Sequence, residues 1–376
     1  MSDYEQLQVT FRYHYNFTGD MHKALDAATL FKRIYPRTST APIDVLVAYD
    51  LLGQHDLAVA EGRDAIYLNP NFAPAYFYLG RSLLRVNRFA EAKDISRQAL
   101  AQKFDLTNIH AVLYQIACAE GDTQGRQQQL DWTRGRPDEF VALDWQAGAA
   151  ACAGQWHEAK EFGHHAIDLA AHGNTQELAA RYAVEQALRG AALEDYSQAK
   201  ADAAQGLQLA SGRASLPRAA LALALCGEAV TPLIDKLSQG FPDDTVIHSI
   251  WLPTIRAAVE LQGGNAAEAI AHLQTTASYE AAAEFWPQSL RGRAYLQCGR
   301  GAEAAAEFQK ILAHRGHAPL SPLYSLAHLG LARAAALTDD LAFSRKAYEN
   351  FFASWKDANA DLSVLCAAKS EYESSS

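Results

Sequence analysis

The chain has 376 residues, of which 49% are hydrophobic and 10% aromatic, and this composition excludes disorder over the whole length. Its formal net charge is -10 and no cluster of five lysines or arginines occurs, so a nucleic-acid groove is disfavoured. No apolar stretch approaches the roughly 20 residues that cross a bilayer, and the polar start MSDYEQLQ differs from a signal peptide. We therefore expect a soluble chain with no nucleic-acid partner and no direct membrane insertion.

A spacing of 34 residues recurs from the beginning of the chain. Tyr15, Gly19, Asp20, Ala24 and Pro36 are followed, 34 residues later, by Tyr49, Gly53, Gln54, Ala58 and Pro70. A period of 34 residues built as helix, turn and helix is the tetratricopeptide signature. The prolines cannot continue a helix and therefore fix the end of the second helix. The sequence predicts an all-α, right-handed superhelical solenoid of about ten helix pairs with a C-terminal capping helix.

The remaining repeat positions have equally plain physical roles. Corner residues such as Gly53, Asn87 and Gly121 can adopt the left-handed conformation that ends a helix. Small residues where two helices cross, such as Gly80 and Ala92, allow close packing, which offsets the cost of about 1 kcal/mol of a glycine inside a helix.

Later units drift from the pattern but remain recognisable. A short seventh unit covers residues 216–242, and a regular ninth unit reads RGRAYLQCGRGAEAAAEFQKIL. The other later corners are predicted at Gly154, Glu194, Gly264, Gly299 and Asp339.

The whole chain is predicted to form one elongated solenoid with an open inner wall, because each repeat buries its apolar face only against its neighbours. We assign residues 1–358 to this solenoid and residues 359–376 to a C-terminal capping helix with a frayed tail. Glycine, serine and proline cluster near residues 209–217 and 240–244, where a bend is expected.

No metal or cofactor motif is complete in the sequence, and we predict neither group. His157, Glu161 and His164 share one face of a helix and could hold zinc, but the small residues between them should face inward and turn this stripe to solvent. The stripe also lacks the second histidine of HExxH. The five cysteines lie far apart without a CxxC motif, and we interpret them as small buried apolar residues. They are Cys118, Cys152, Cys226, Cys298 and Cys366.

Catalytic motifs are also missing. The triplet His314-Arg315-Gly316 lacks the aspartate of the kinase HRD motif, and the sequence contains no GxGxxG, DFG or GxSxG motif. We therefore predict that this chain is not an enzyme.

The remaining candidate for function is the concave surface that the first helices of the pairs line. Arginines and aromatic residues spaced along such a groove suit an extended peptide or protein segment. The alternative is that the arginines pair with internal acids. Trp145, Trp251 and Trp286 are interpreted as core between repeats. The groove candidates are Tyr13, Asn16, Phe77, Arg81, Arg85, Arg293, Gln297 and Arg333.

Several strings carry a more specific resemblance. WLPTIRAAVELQGGNAAEAIAHLQ, at residues 251–274, and GAEAAAEFQKIL closely resemble the C-terminal tetratricopeptide region of bacterial eukaryotic-like serine/threonine protein kinases, notably those of acidobacteria. The similarity covers residues 8–373. In that family a catalytic domain, usually followed by a membrane span, precedes the repeats.

The resemblance implies a sensor or partner-recruiting region on the extracytoplasmic side of a membrane-anchored kinase; without it, the expected location is the cytoplasm. No kinase residue transfers to this chain, because it contains none of the catalytic motifs. The main expectation is a non-catalytic scaffold that binds a protein or peptide. The alternatives are a structural module for self-assembly and, third, an enzyme of unknown type.

Overall fold

The computed structural model describes residues 2–173 and 175–374. All regular elements within these ranges are helical. The first helices of the pairs are α1 (Asp3–Tyr13), α3 (Thr40–Leu51), α5 (Ala73–Arg85), α7 (Thr107–Glu120), α9 (Glu139–Cys152), α11 (Gln176–Ala192), α13 (Leu216–Leu225), α15 (Leu252–Gln262), α17 (Trp286–Gln297) and α19 (Pro322–Ala336). The second helices are α2 (Met21–Ile34), α4 (His55–Leu68), α6 (Phe89–Ala101), α8 (Thr123–Thr133), α10 (Trp156–His172), α12 (Tyr196–Leu209), α14 (Thr231–Gly240), α16 (Ala266–Gln274), α18 (Gly301–Ala313) and α20 (Leu341–Ser354).

Shorter segments complete the pairs. Two π-helical turns, His14–Thr18 and Ile247–Trp251, follow α1 and precede α15, and two 3-10 segments, Ala277–Ala282 and Arg315–His317, lie after α16 and α18. A final helix, α21 (Ser363–Ser374), packs against α20. The prediction of an all-α, tetratricopeptide-like solenoid of ten helix pairs and a last single helix is confirmed.

Every pair turns through a residue in the left-handed conformation. The φ angles at these corners lie between 58° and 78°, a region that glycine enters without strain and asparagine or aspartate more readily than other residues. This confirms the corner positions that the repeat predicts and adds one at the seventh pair. The corner residues are Gly19, Gly53, Asn87, Gly121, Gly154, Glu194, Gly227, Gly264, Gly299 and Asp339.

The two helices of each pair form separate layers. First helices of neighbouring pairs contact one another, whereas each second helix packs on its own partner and on the first helix of the next pair. The first helices therefore line the inside of the curve. Trp145, Trp251 and Trp286 are buried among them, at most 8% exposed, which confirms their interpretation as core between repeats.

The space around the glycines at the helix crossings differs from one crossing to another. A methyl group on Gly330 or Gly292 would come within 2.7 Å of the ring of Phe308. A methyl group on Gly80, in contrast, would meet Ser96 Oγ at 3.4 Å, an ordinary contact. We expected close packing at Gly80 to compensate for the lower helix propensity of glycine. That expectation is too strong, because the helix crossing there has room for alanine.

The solenoid closes on itself, whereas the sequence predicts one elongated solenoid. Corners of early pairs touch connections that follow late second helices, and we call this contact line the seam. The Thr245 amide donates to the Gly19 carbonyl at 3.0 Å, and Asn87 Nδ2 donates to the Ala313 carbonyl at 2.7 Å. Further along, the Asn359 amide donates to the carbonyl of Gly154 at 3.0 Å. The early and late pairs thus form two stacked turns of one superhelix.

Candidate functional site

The candidate site is the inner wall, the surface that the first helices form inside the curve. On its early side, the buried carboxylate of Asp50 gathers four neighbours. Arg81 Nη2 lies 2.9 Å and Arg85 Nη1 3.5 Å from Asp50 Oδ2. Ser82 Oγ donates to Oδ1 at 3.1 Å, and His55 Nδ1 lies 2.9 Å from the same oxygen. Two of the predicted groove arginines are therefore held by an internal acid.

Charge dominates this cluster. Burial alone would raise the pKa of Asp50, but Arg85, His55 and Arg81 hold it well below its usual range. The second nitrogen of His55, Nε2, lies 3.0 Å from the carbonyl of Ala281. The Asp50 carboxylate and the Ala281 carbonyl, both hydrogen-bond acceptors, thus lie beside the two ring nitrogens of His55. One carboxylate faces two guanidinium groups, and the cluster therefore has surplus positive charge.

A second network lies deeper on the inner wall. Arg218 Nε donates to Glu185 Oε1 at 2.7 Å, and Arg218 Nη2 lies 3.9 Å from Glu284 Oε1. Burial and then the charge of Glu185 raise the pKa of Glu284, while Arg181 and Arg85 act in the opposite direction. Burial also opposes ionisation of Glu185, but Arg218 and then Arg181 lower its pKa. Charged side chains that interact electrostatically therefore extend along the inner wall from the third helix pair to the ninth.

The late candidates differ in how they are held. Arg333 forms a two-bond pair with Glu371, with Nε to Oε2 at 2.9 Å and Nη2 to Oε1 at 2.8 Å. Arg293 is exposed and, among described residues, makes no hydrogen bond and no ion pair. Neighbouring protein atoms displace part of the water around its guanidinium, and this loss of solvation lowers its pKa. Gln297 is exposed one helical turn further along α17.

The first-pair candidates lie apart from these clusters. Tyr13 is 53% exposed and stacks on Phe17 with ring centroids 6.2 Å apart. Asn16 lines a cavity of about 320 Å³ between first helices, together with Asp44. Burial raises the pKa of Asp44 to about 7, although Arg12 pulls it down.

Phe77 places an aromatic face beside the guanidinium of Arg81. The centroid of the Phe77 ring lies 5.2 Å from Arg81 Cζ, and that of the Tyr78 ring 5.1 Å. The structure thus brings Phe77, Arg81 and Arg85 together along α5, while Tyr13 stays separate and Arg293 lies on α17, near Glu194 and Arg333.

The sequence analysis did not identify the acidic residues of the inner wall, and it identified only half of the basic ones. Asp50 stands inside the apolar run IDVLVAYDLL, and a charge in such a run indicates a buried ion pair. Arg181, Glu185 and Arg189 follow one another at four-residue spacing on α11, which predicts one helix face of alternating charge. Glu284 carries no such pattern, since it lies in the connection before α17.

The histidine stripe on α10 does not form a metal site. His157 is 55% exposed and faces Asp361, whereas His164 Nε2 lies 2.9 Å from the buried carboxylate of Asp202. Within residues 2–173 and 175–374, no three His, Cys, Asp or Glu side chains come together as metal ligands would. The stripe is thus less solvated than expected, because His164 reaches inward.

The cysteines depart partly from their predicted burial. All five are free thiols; Cys298 and Cys366 are exposed, and the other three are partly buried. The prediction is wrong for the two exposed residues, because Cys298 lies in the turn that follows α17 and Cys366 lies on the exposed side of α21. Among the described residues, none of the helices combines the length and apolarity needed to cross a bilayer.

Comparisons with known proteins give a structural likeness only. No protein-family model matches the chain, and no curated protein sequence matches it. The TPR domain of P58(IPK) is similar over 100% of this chain and 98% of its own, with 13% identity and a TM-score of 0.29. Yeast Tom70 is similar over 99% of this chain and 95% of its own, with 12% identity and a TM-score of 0.39. The assignment of the fold therefore rests on the ten helix pairs and their corners.

Proposed function

We propose that the chain is a non-catalytic scaffold that binds an extended acidic protein segment along its inner wall. The observation that carries the proposal is Arg293, an exposed guanidinium without a hydrogen bond or ion pair to any described residue. Arg181 is also exposed and lacks such a bond within the described ranges. Carboxylates of a partner would supply the missing acceptors, since arginine binds them with two parallel bonds.

The structure of the wall favours a preorganised receptor. The neighbours of the two arginines are fixed by helix packing, so binding would order few receptor side chains. Arg81 and Arg333 are neutralised internally, so they define the shape and potential of the wall more than they contact a partner.

A labelled deca-glutamate peptide tests the proposal. We expect binding that weakens with salt, and Arg293→Gln or Arg181→Gln should each lower the affinity about tenfold, because a charge-assisted bond contributes about 1.5–3 kcal/mol. Arg97→Gln is the matched control, since Arg97 is an exposed arginine on the outer helix α6. Equal losses in all three variants, or no binding by the wild type, would refute an inner-wall site.

Self-assembly is the second candidate function. The corner of the last pair exposes Leu337 at 48%, Leu341 at 57% and Phe343 at 41%, which is unusual for a surface that stays in water. Light scattering over a range of concentrations separates the two functions. A mass that stays that of one chain would reject assembly, and the loss of a larger mass in Leu341→Glu would support it.

The finer proposal places this scaffold in a bacterial serine/threonine kinase-type protein, as its sensor or partner-recruiting region outside the cytoplasm. It is supported by the sequence resemblance alone. The reading frame around Met1 tests it: a kinase domain and a membrane span upstream would support it, and an unrelated upstream frame would refute it.

A further inference from the structure

A cavity of about 480 Å³ opens at the seam, between the two stacked turns of the superhelix. The early turn supplies Arg85 and the corner at Gly53, and the late turn supplies Gln288, Phe285 and His317. Its volume lies in the range of small-molecule sites. The cavity is separate from the free arginines of the inner wall, because neither Arg181 nor Arg293 lines it.

Arg85 provides the cavity with a site for an anion. Arg85 reaches Asp50 only at 3.5 Å, a distance too long for a hydrogen bond, and it makes no hydrogen bond to another described residue. Asp50 is already bonded by Arg81 and His55. Burial lowers the pKa of Arg85, and the charge of Asp50 only partly compensates. A guanidinium in this position lacks an acceptor for its remaining N–H groups.

Two helix ends add to the positive potential. The cavity is lined by the first residues of α4, His55 and Asp56, and by Gln288 in the first turn of α17. Neither helix has a side-chain cap hydrogen bond at its N-terminus. The first amides of a helix have no intrahelical partner, and the aligned peptide dipoles favour negative charge there.

The cavity also requires a hydrogen-bond donor. The side chain of Gln288 is more than nine-tenths buried, and its Oε1 accepts no hydrogen bond from any described residue. A buried acceptor without a partner costs about 1–3 kcal/mol. A bound molecule with a hydroxyl or amine group would supply the missing donor.

Phe285 and His317 form the apolar part of the wall, whose lining also includes Asp56, Glu280, Lys310 and His314. Burial, and then the charges of His55 and Arg85, lower the pKa of His317 far below its usual value, so its ring is uncharged at neutral pH. Its ring centroid lies 5.3 Å from that of Phe285. Glu284 and Phe285 have φ angles of 51° and 75°, strained values for side chains of this kind, and such strain often occurs at binding sites.

We propose that the seam cavity binds a small organic acid that carries one carboxylate, a hydroxyl or amine donor, and an apolar body. The carboxylate pairs with Arg85, the donor bonds Gln288 Oε1, and the apolar body contacts Phe285 and His317. Arg85 has N–H groups without an acceptor among the described residues, whereas Lys310, the other lysine or arginine in the lining, pairs with Glu307 at 2.8 Å. One such guanidinium matches a singly charged carboxylate, and a phosphate dianion would require a second cation without a partner. Because both turns contribute residues, the bound acid stabilises the closed superhelix by linkage.

Calorimetry and thermal unfolding of the full chain test this site with matched pairs of acids. The probes are phenyllactate against 3-phenylpropionate and lactate against propionate, which differ only in the hydroxyl group, with inorganic phosphate as a third arm. We expect phenyllactate to bind at least fivefold more tightly than 3-phenylpropionate and to raise the melting temperature, and phosphate to bind at least tenfold more weakly.

Two variants make the test specific. Gln288→Leu should fold at least as stably as the wild type, because it removes the unpaired acceptor, yet it should abolish the preference for the hydroxy acid. Arg85→Gln should weaken both acids at least tenfold, while Arg293→Gln should leave them unchanged, which separates this site from the proposed peptide site. Absence of binding by every acid, an unchanged preference in Gln288→Leu, or phosphate binding as tight as that of phenyllactate would overturn the proposal.

Discussion

Asn87 and Gly316 join the two turns of the superhelix through a hydrogen bond. The Gly316 amide donates to Asn87 Oδ1 at 2.7 Å, while Asn87 Nδ2 donates to the carbonyl of Ala313, also at 2.7 Å. The same asparagine forms the left-handed corner of the third pair, with φ at 61°. One side chain therefore ends a local turn and also closes a contact 229 residues away.

Replacing Asn87 should separate these two roles. Asn87→Gly keeps the left-handed corner but loses both seam hydrogen bonds, so we expect a loss of about 1–3 kcal/mol in unfolding free energy and faster hydrogen exchange at the Gly316 amide. Asp339→Gly is the matched control, because Asp339 is an exposed left-handed corner with φ at 58° and lies at no seam contact. That variant should be slightly more stable than the wild type in urea unfolding. If both variants lose stability equally, the seam bonds are not responsible.

The repeat could be predicted from sequence because its determinants are local. A left-handed residue at Gly53 or Asp339 ends a helix within one turn, so the residue type at the corner decides the structure there. The seam could not be predicted, since it depends on small rotations added over several pairs. Gly19 meets Thr245 only because these rotations sum to a full turn.

The candidate site was predictable only in part for the same reason. Helical spacing on α5 indicates that Arg81 and Arg85 share one face, but not that both face the buried carboxylate of Asp50 on α3. Arg333 on α19 likewise has its partner, Glu371, on α21, two helices further along the chain. Whether an arginine is available to a ligand depends on neighbours outside its own helix.

Asp44 predicts a change of stability with pH. The pKa of Asp44 is about 7 in the folded chain, above its value in the unfolded chain. Because folding disfavours the charged carboxylate, the wild type loses stability as the pH rises from the unfolded pKa to the folded pKa. Asp44→Asn should therefore match the wild type near pH 4 and exceed it above pH 7 by about 1–3 kcal/mol, since one pKa unit corresponds to about 1.4 kcal/mol.

Urea unfolding between pH 4 and pH 8.5 measures this difference. Asp235→Asn serves as control, because Asp235 is exposed on α14 and should show no pH-dependent gap. A gap for Asp44→Asn that is constant across the range would contradict a raised pKa.

His164 predicts a second change of stability with pH, in this case from a side chain whose charged form is stabilised by a partner. The hydrogen bond with Asp202 raises the pKa of His164, against a smaller effect of burial. The stabilisation is thus fully present below the unfolded pKa of histidine and is lost as pH rises through the raised folded pKa. His164→Gln should be destabilised most at pH 5–6, with a smaller deficit at pH 9. Because the side chain is 38% exposed, the change should stay below about 1 kcal/mol.

The neighbouring His165 gives a sharp control for this effect. It is exposed and makes no hydrogen bond to the described residues, so His165→Gln should leave stability unchanged at every pH. NMR titration of the His164 ring provides an independent check. A His164 titration midpoint no higher than that of a histidine in an unfolded peptide would count against the Asp202 contact.

Replacing glycine by alanine at two helix crossings should change the stability of the chain in opposite directions. Gly80→Ala should stabilise the chain by up to about 1 kcal/mol, because a methyl group fits beside Ser96 Oγ at 3.4 Å and alanine is the better helix former. Gly330→Ala should destabilise it by about 1–3 kcal/mol, since the new methyl group would lie 2.5 Å from Phe308 Cε1 and force that ring to move.

A double variant ties the second effect to one neighbour. Phe308→Leu removes the ring that blocks position 330, so Gly330→Ala should cost less in that background than in the wild type, a coupling that a double-mutant cycle in urea measures. Additive losses would mean that the backbone, and not Phe308, sets the close approach of α18 and α19. The same cycle with Gly80→Ala should show no coupling, because Gly80 lies in a different pair and its new methyl group would meet Ser96 and Val112.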